Sequence, residues 1–409
     1  MKIWLKYLLG IALGIIAAFL IPAESAQAIS LLDFIVDIVL RFGRYMLLPL
    51  MFFSVATAFF TLQEEHLLLK TSVWTFSVIV ISSLALAVLG LVSALIIHLP
   101  RIPITIEKIN DIPTLGVRPM LSMLFPYSGF SALLEGAYLL PCFVFAGLAG
   151  AGAASDKVAS RPAITLFDSL SKVCYIVMSF FIELLAVGMV ALMCRWTINF
   201  IVAFKAGVYL QLIIMLAVNL ILVAFVFYPL VLYLLCHDQH PYRVLYASFC
   251  TFLAGFFSGD TNLTLVIAMR HGKESLGIRR RINAVTFPLF SIFARGGAAL
   301  VETICFILIL RSYSKLGISV SDTLWILIIS FAISFILGQL PFGGPFVAII
   351  AMCTMYGRGF ESGYLLLKDA APILCAFAAG LDALTAVFGS YIVAVKTRTI
   401  EHIELRKFI

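Results

Sequence analysis

Runs of apolar residues near positions 7–22, 31–62, 72–98, 126–152, 169–194, 206–236, 284–310 and 370–395 constrain this chain more than any other feature. A helix needs roughly 20 apolar residues to cross a hydrocarbon core of about 30 Å, and no water-soluble domain buries so many runs of that length. Only 12% of the residues are charged and 63% are apolar, against about 25% and 45–50% in soluble domains. These runs predict an all-α polytopic membrane protein with eight transmembrane helices. The run at 31–62 is longer than a perpendicular crossing needs, so it is expected to tilt or to extend past the bilayer.

Composition excludes other classes. The eight cysteines stand singly in apolar runs with no C-x-x-C pair, which gives neither a disulfide framework nor a zinc site. The net charge of +7 is explained by basic juxtamembrane loops, and no basic run is interleaved with aromatics as a nucleic-acid surface would require. The histidines read as loop or helix-end residues. An intramembrane enzyme would need a nucleophile with a nearby base or a metal, and the sequence offers no such set; no cofactor is expected.

Eight crossings place both ends on one side. Basic residues gather on the N-terminal side, including Lys2, Lys6, Arg279, Arg280, Arg281, Lys396 and Arg398, which predicts cytoplasmic termini in a plasma (inner) membrane. A second reading of the start stands beside this one. Lys2, Lys6, the apolar run and Ala26-Gln27-Ala28 also have the layout of a cleaved signal peptide.

Two further apolar segments are broken at their centres. Val244–Arg270 is interrupted at Ser258-Gly259-Asp260-Thr261-Asn262, and Thr323–Met355 at Gln339-Leu340-Pro341-Phe342-Gly343-Gly344-Pro345. An arm of about 13 residues reaches only about 20 Å, so each segment is expected to dip in and return as a re-entrant hairpin. The two enter from opposite faces and form an inverted pair. Paired interrupted segments point to a transporter's binding site, because non-helical backbone at membrane depth is tolerated only where protein, solute or water satisfies it. The two tips, near 259–262 and 341–344, are expected to face each other across a cavity.

At these residues the sequence resembles the dicarboxylate/amino acid:cation symporter family, the glutamate-transporter-like proteins. Arg41-Phe42-Gly43-Arg44 followed by Leu48-Pro49-Leu50 and Ser54 is similar to that family's second helix. Leu124-Phe125-Pro126, Phe130, Ala132-Leu133 and Gly136 resemble the entry to its fourth helix. Glu274-Ser275-Leu276-Gly277-Ile278 with Arg279-Arg280-Arg281, and then Gly297-Ala298-Ala299-Leu300-Val301-Glu302, resemble the approach to its seventh helix and that helix's continuation. The resemblance implies a homotrimer moving solute by an elevator motion. A scaffold domain (residues 1–62 and 126–205, helices 1, 2, 4 and 5) would stay fixed, and a transport domain (63–125 and 206–409, helices 3, 6, 7, 8 and both hairpins) would move.

The ligand positions depart from the family pattern. Its Asn-Met-Asp-Gly-Thr reads Ala294-Arg295-Gly296-Gly297-Ala298 here, and its sodium-binding aspartate of the eighth helix aligns with Ser390. Cation coupling through Ala294, Gly296 and Ser390 is therefore doubtful, since hard cations want several oxygens. The implied solute-binding residues are Asp260, Thr261 and Asn262, then Pro341, Gly343 and Gly344, and Arg295, Asp382 and Thr385. Ionisable groups at membrane depth are functional by default, yet Glu302, Glu135 and Glu183 also read as structural. Asp260 either caps the arm that follows it or touches solute. Arg295 and Asp382 either pair in the empty state or Asp382 receives a cationic group directly. The resulting expectation is a secondary transporter for a small amino acid or dicarboxylate-like solute, with a coupling proton or cation. The alternative is an uncoupled exchanger, channel-like or sensory protein that keeps the fold.

Overall fold

The apolar runs form helices, and the helices stop where Gly, Pro or a short polar cluster interrupts the run. The computed structural model describes residues 2–21, 26–97, 99–103, 123–124, 126, 128–134, 136–205, 207–314, 318–404 and 408. Its α-helices are α1 (Ile3–Leu20), α2 (Ala26–Arg44), α3 (Leu47–Glu64), α4 (Leu68–Ile96), α5 (Leu140–Ser155), α6 (Lys157–Lys205), α7 (Leu210–Leu222) and α8 (Tyr228–Cys236). They continue as α9 (Tyr242–Ser258), α10 (Thr261–Glu274), α11 (Arg280–Phe293), α12 (Gly296–Tyr313), α13 (Val320–Ile336), α14 (Gly344–Tyr356) and α15 (Ala371–Lys396). No strand occurs among the described residues, only the isolated bridges Asp260 to Phe342 and Ile278 to Ile400.

Eight helical stretches among the described residues are long and apolar enough to cross a membrane, three of them (Ala26–Glu64, Leu210–Cys236 and Arg280–Tyr313) each made of two successive helices: this is an integral membrane protein. They are not the expected eight. The run at 31–62 is two helices, α2 and α3, parted at Tyr45 and Met46 just before Pro49. The expected crossing at 126–152 contributes a 3-10 turn at Ser131–Leu133 and the 16-residue α5, too short for a full span. The run at 169–194 is the middle of the 49-residue α6, roughly 74 Å at 1.5 Å per residue, so it either projects well beyond the core or lies strongly tilted. The run at 206–236 is α7 and α8 joined by a π-helical turn, Val223–Phe227, next to Pro229, whose missing N–H favours a widened turn there.

The broken segments are the helix pairs α9/α10 and α13/α14. The arms α9, α10 and α14 have 17, 14 and 13 residues, too few to cross. The arm α13 with its terminal 3-10 turn runs Val320–Gln339, and its 20 residues do reach crossing length. That differs from the expectation that both arms of each segment are short. The run at 284–310 is also broken, between α11 and α12 at Ala294 and Arg295.

Small residues set the closest helix contacts, as expected where backbones pack without a hydrophobic driving force between helices. α1 lies on α6, and a Cβ on Gly10 would stand 2.4 Å from the Ala186 carbonyl oxygen, one on Gly14 2.6 Å from that of Val190. α3 packs on α5 and α6, and α2 on α6. α4, α11 and α14 pack around α12 or α15, while α9 and α10 lie on α15. The latter group holds the deepest core: α12 is buried from Gly296 through Leu310, and α15 from Ile373 through Ala394. α11 and α10 face the first group through α3 and α2.

The α1–α6 contact gives a first prediction. Gly10→Val or Gly14→Val drives a side chain into backbone and is expected to destabilise by about 1–3 kcal/mol. Gly152→Ala on α5, with nothing within 4 Å of the added carbon, is expected to be neutral. Thermal unfolding of the detergent-solubilised variants distinguishes the two.

Candidate functional site

Three interrupted stretches meet beside α15: Gly259–Asp260 between α9 and α10, Ala294–Arg295 between α11 and α12, and Leu337–Gly343 between α13 and α14. Each interruption frees backbone amides and carbonyls, and the residues that satisfy them form the site.

At the first interruption Gly259 sits at φ +64° and ends α9, a conformation that glycine adopts at little cost. Asp260 then N-caps α10, its Oδ1 accepting from the amides of Asn262 at 2.9 Å and Leu263 at 3.4 Å. Its Oδ2 faces the other way and takes the Arg44 guanidinium, Nε and Nη2, from the end of α2. The Asp260 carboxylate is fully buried. The amide of Thr261 donates to the Pro341 carbonyl at 3.2 Å, and its hydroxyl reaches the same oxygen at 3.4 Å. The two tips are therefore joined directly, not parted by a cavity as expected. Asn262 turns away, its Nδ2 donating to the Gly136 and Ala137 carbonyls at 3.2 and 3.0 Å. Gly343, at φ +73°, reverses the chain into α14, which starts at Gly344 and Pro345.

Arg295 links the other two interruptions. It is 4% exposed, and its Nη2 donates to the carbonyls of Leu337 and Leu340, each at 3.4 Å, at the end of α13. A cation at that end also complements the helix dipole. Its Nη1 lies 3.6 Å from Asp382 Oδ2 on α15, both side chains 5% exposed. Asp382 Oδ1 accepts from the amide of Gly297 at 2.7 Å. A Cβ at Gly297 would lie 2.8 Å from that oxygen and 2.4 Å from Leu381 Cβ, so the approach requires glycine.

The remaining expected residues fall outside this knot. Thr385 bonds the Tyr228 hydroxyl at 2.5 Å and its own helix at Leu381. Ala294 ends α11, and Gly296 packs on Ser83 and Leu86 of α4; neither brings a side-chain oxygen. The Ser390 hydroxyl is buried without a hydrogen-bond partner, as are both oxygens of Glu302. Glu183 lies at the α6 surface, 3.1 Å from Arg270 and 3.3 Å from Lys6. Glu135 lies outside the described residues. His271, read as a helix-end residue, is in the last turn of α10 but is 1% exposed. No group of three His, Cys, Asp or Glu side chains among the described residues could hold a metal.

Two cavities border the knot. A cavity of about 10 Å³, room for one water, is lined by Thr251, Thr261, Thr264, Ser291 and Asp382. A cleft of about 490 Å³ opens on Ser258, Gly259, Phe342 and Gly343 between the tips and the α2–α6 wall, where Arg195 pairs with Asp33 at 2.6 Å. Arg44 and Gly297 belong to the knot and Tyr228 adjoins it through Thr385; none of the three was singled out from sequence as a site residue. Arg44 stands in the quoted second-helix motif, and Gly297 adjoins the substituted ligand positions. Tyr228 carries no sequence signal.

The knot supplies a second prediction. Arg295→Met or Asp382→Leu leaves its partner buried and unpaired, expected to cost about 3–5 kcal/mol. The double change removes both charges and is expected to recover most of that loss. Unfolding of the three purified variants, read as a double-mutant cycle, measures the coupling.

Comparison with curated proteins finds no match for this chain. The model of the sodium:dicarboxylate symporter family, a family of membrane transporters, matches residues 3–396. With nearly the whole chain matched, the protein belongs to the sodium:dicarboxylate symporter family.

Proposed function

We propose that this protein is a secondary transporter that carries a small amino acid or dicarboxylate-like solute by elevator-type alternating access, with little or no dependence on sodium. The observation that carries this reading is the junction of the two broken segments, Thr261 on Pro341, beside the buried Arg295–Asp382 pair. Broken helices with a charged pair at their meeting point are what a solute site within a bilayer requires. Helices α9/α10 and α13/α14 act as re-entrant hairpins whose tips close over the solute. Residues 63–125 and 206–409 form the moving body, residues 1–62 and 126–205 the static one, and three copies assemble through the static bodies. The packing of α1, α2, α3 and α5 with α6, and of the remaining helices around α12 and α15, supports that division. Both termini lie in the cytoplasm.

Asp260, Thr261, Pro341, Gly343, Gly344, Arg295, Asp382 and Thr385 make up or adjoin the solute site, with Asn262 bracing its base. Arg295 has the planar donor fork that holds a carboxylate in bidentate geometry, so a solute carboxylate competes with Asp382 for it. The positions of Ala294, Gly296 and Ser390 offer one hydroxyl where a sodium ion would need several oxygens. Arg295 supplies a built-in positive charge in its stead.

Uptake into proteoliposomes, screened over amino acids and dicarboxylates, tests the reading. Concentrative uptake that persists when choline replaces sodium is expected. Steep, saturable sodium dependence overturns the sodium-independent part. Passive flux alone, without accumulation under any ion gradient, overturns the transporter in favour of a channel-like protein.

A further inference from the structure

The Arg44–Asp260 pair joins two different packing groups, since Arg44 ends α2, which lies on α6, and Asp260 starts α10, which lies on α15. The division of labour within the carboxylate is clear. Oδ1 holds the start of α10 through the amides of Asn262 and Leu263, and Oδ2 holds the guanidinium. Oδ2 can therefore change its partner without loss of the helix cap.

Charge balance decides what that partner must be. The charged groups of the knot are Arg44 from α2, Arg295 from the start of α12, Asp260 and Asp382, two positive against two negative. Arg295 cannot turn to Asp260 without releasing Leu337, Leu340 and Asp382. When Arg44 is withdrawn, one positive charge is left against two buried negative ones, and buried Glu302 on α12 can only deepen the deficit. A buried carboxylate with no counter-charge is strongly unfavourable. The 490 Å³ cleft reaches Ser258 and Gly259, the two residues before Asp260, so a small cation entering it comes close to the carboxylate, which stays sealed while Arg44 holds it.

We propose that Asp260 is a receptor for a single positive charge whose occupant in this arrangement is the protein's own Arg44. The body that carries Asp260 leaves α2 only when an alkali cation, a proton or the ammonium group of the solute has taken the guanidinium's place on Oδ2. The exchange is a proposal about Asp260 itself; only the statement that a body then moves rests on the transporter reading.

The test uses the purified full-length protein and three variants: Arg44→Met, Asp260→Asn, which keeps a good capping residue, and the double variant. Arg44→Met is expected to unfold at a lower temperature than wild type. Its midpoint should rise saturably with guanidinium or sodium chloride relative to the same concentration of choline chloride, or on acidification, or with an amino acid from the transport screen. The arm that responds identifies the source of the charge, and the response should vanish in the double variant. Destabilised Arg44→Met that answers to none of these arms overturns the proposal, as does an equal response in the double variant. An Arg44→Met variant as stable as wild type overturns it too. If Arg44→Met cannot be recovered folded, the double variant is expected to be recovered, and its loss as well rules the pair out as the cause. In proteoliposomes Asp260→Asn should lower uptake by roughly tenfold or more. Absence of uptake by wild type counts against the transporter reading alone, because the stability arms need no transport.

Discussion

Every backbone amide and carbonyl released by a broken helix must find a partner when the break lies inside a membrane protein, and the centre of this molecule is organised by that requirement. The chain breaks three times within reach of α15. Asp260 takes the free amides of α10, Pro341 accepts from Thr261, and Arg295 covers the carbonyls left by α13. These partners are charged or carry a carbonyl of another break, so satisfying one interruption fixes the position of the next. Asp382 closes the set from a continuous helix, through the Gly297 amide and the Arg295 guanidinium. The polar groups that hold the breaks are thus the same groups that make a charged site.

A second layer of ion pairs joins the two packing groups, and it is concentrated in a short stretch of sequence. Between residues 260 and 281, Arg270 meets Glu183 of α6 at 3.1 Å, Arg280 meets Asp168 of α6 at 3.0 Å, and Arg281 meets Glu65 at the end of α3. The Tyr175 hydroxyl donates to Glu274 at 2.5 Å. The consecutive arginines divide their work, because Arg279 turns instead to Glu401 near the C-terminus. Glu183, Asp168 and Glu65 are all more than a third exposed or close to it, and partly solvated pairs are worth little individually and are screened by salt. Arg44–Asp260 differs from them, since its carboxylate has no access to water. The rim contacts set a register at small energetic cost, while the central pair resists separation strongly.

How much of this was legible in the sequence depended on range. The breaks at 258–262 and 339–345 could be read because Gly, Pro and Asp within an apolar run admit few helical alternatives. Arg295 and Asp382 stood out because a charge inside an apolar run is costly unless it is used. The place of Asp260 before Thr261-Asn262 admits either a helix cap or a contact with solute, and its side chain does cap α10. What failed was long-range or cumulative. No local pattern says that α6 continues for 49 residues through Arg161 and Arg195, and Pro162 inside it reads locally as a stop that the helix nevertheless runs through. That α13 reaches crossing length depends on where the helix starts, at the capping box of Ser319 and Asp322, which lies before the apolar window. The partner of Asp260 lies 216 residues away, and a single sequence holds no signal for that separation.

Arg295 also changes what an unloaded site of this kind demands. A site built from carboxylates alone is unstable when empty, because like charges crowd together without solvation, and it closes only around a cation. With a guanidinium tethered among the carboxylates, two charges balance two while the tips are shut on each other, as Thr261 on Pro341 shows them to be. The cost of closing empty is then lower, because no ion has to be captured first. On the proposed reading that would permit the empty body to return without a counter-ion, which favours net transport. The Arg44–Asp260 pair acts against this freedom, because the balance holds only while α2 contributes its arginine. One arginine, Arg295, belongs to the knot itself; the other, Arg44, belongs to the neighbouring wall. On the proposed reading, the difference between those two attachments makes the net charge of the site depend on its position.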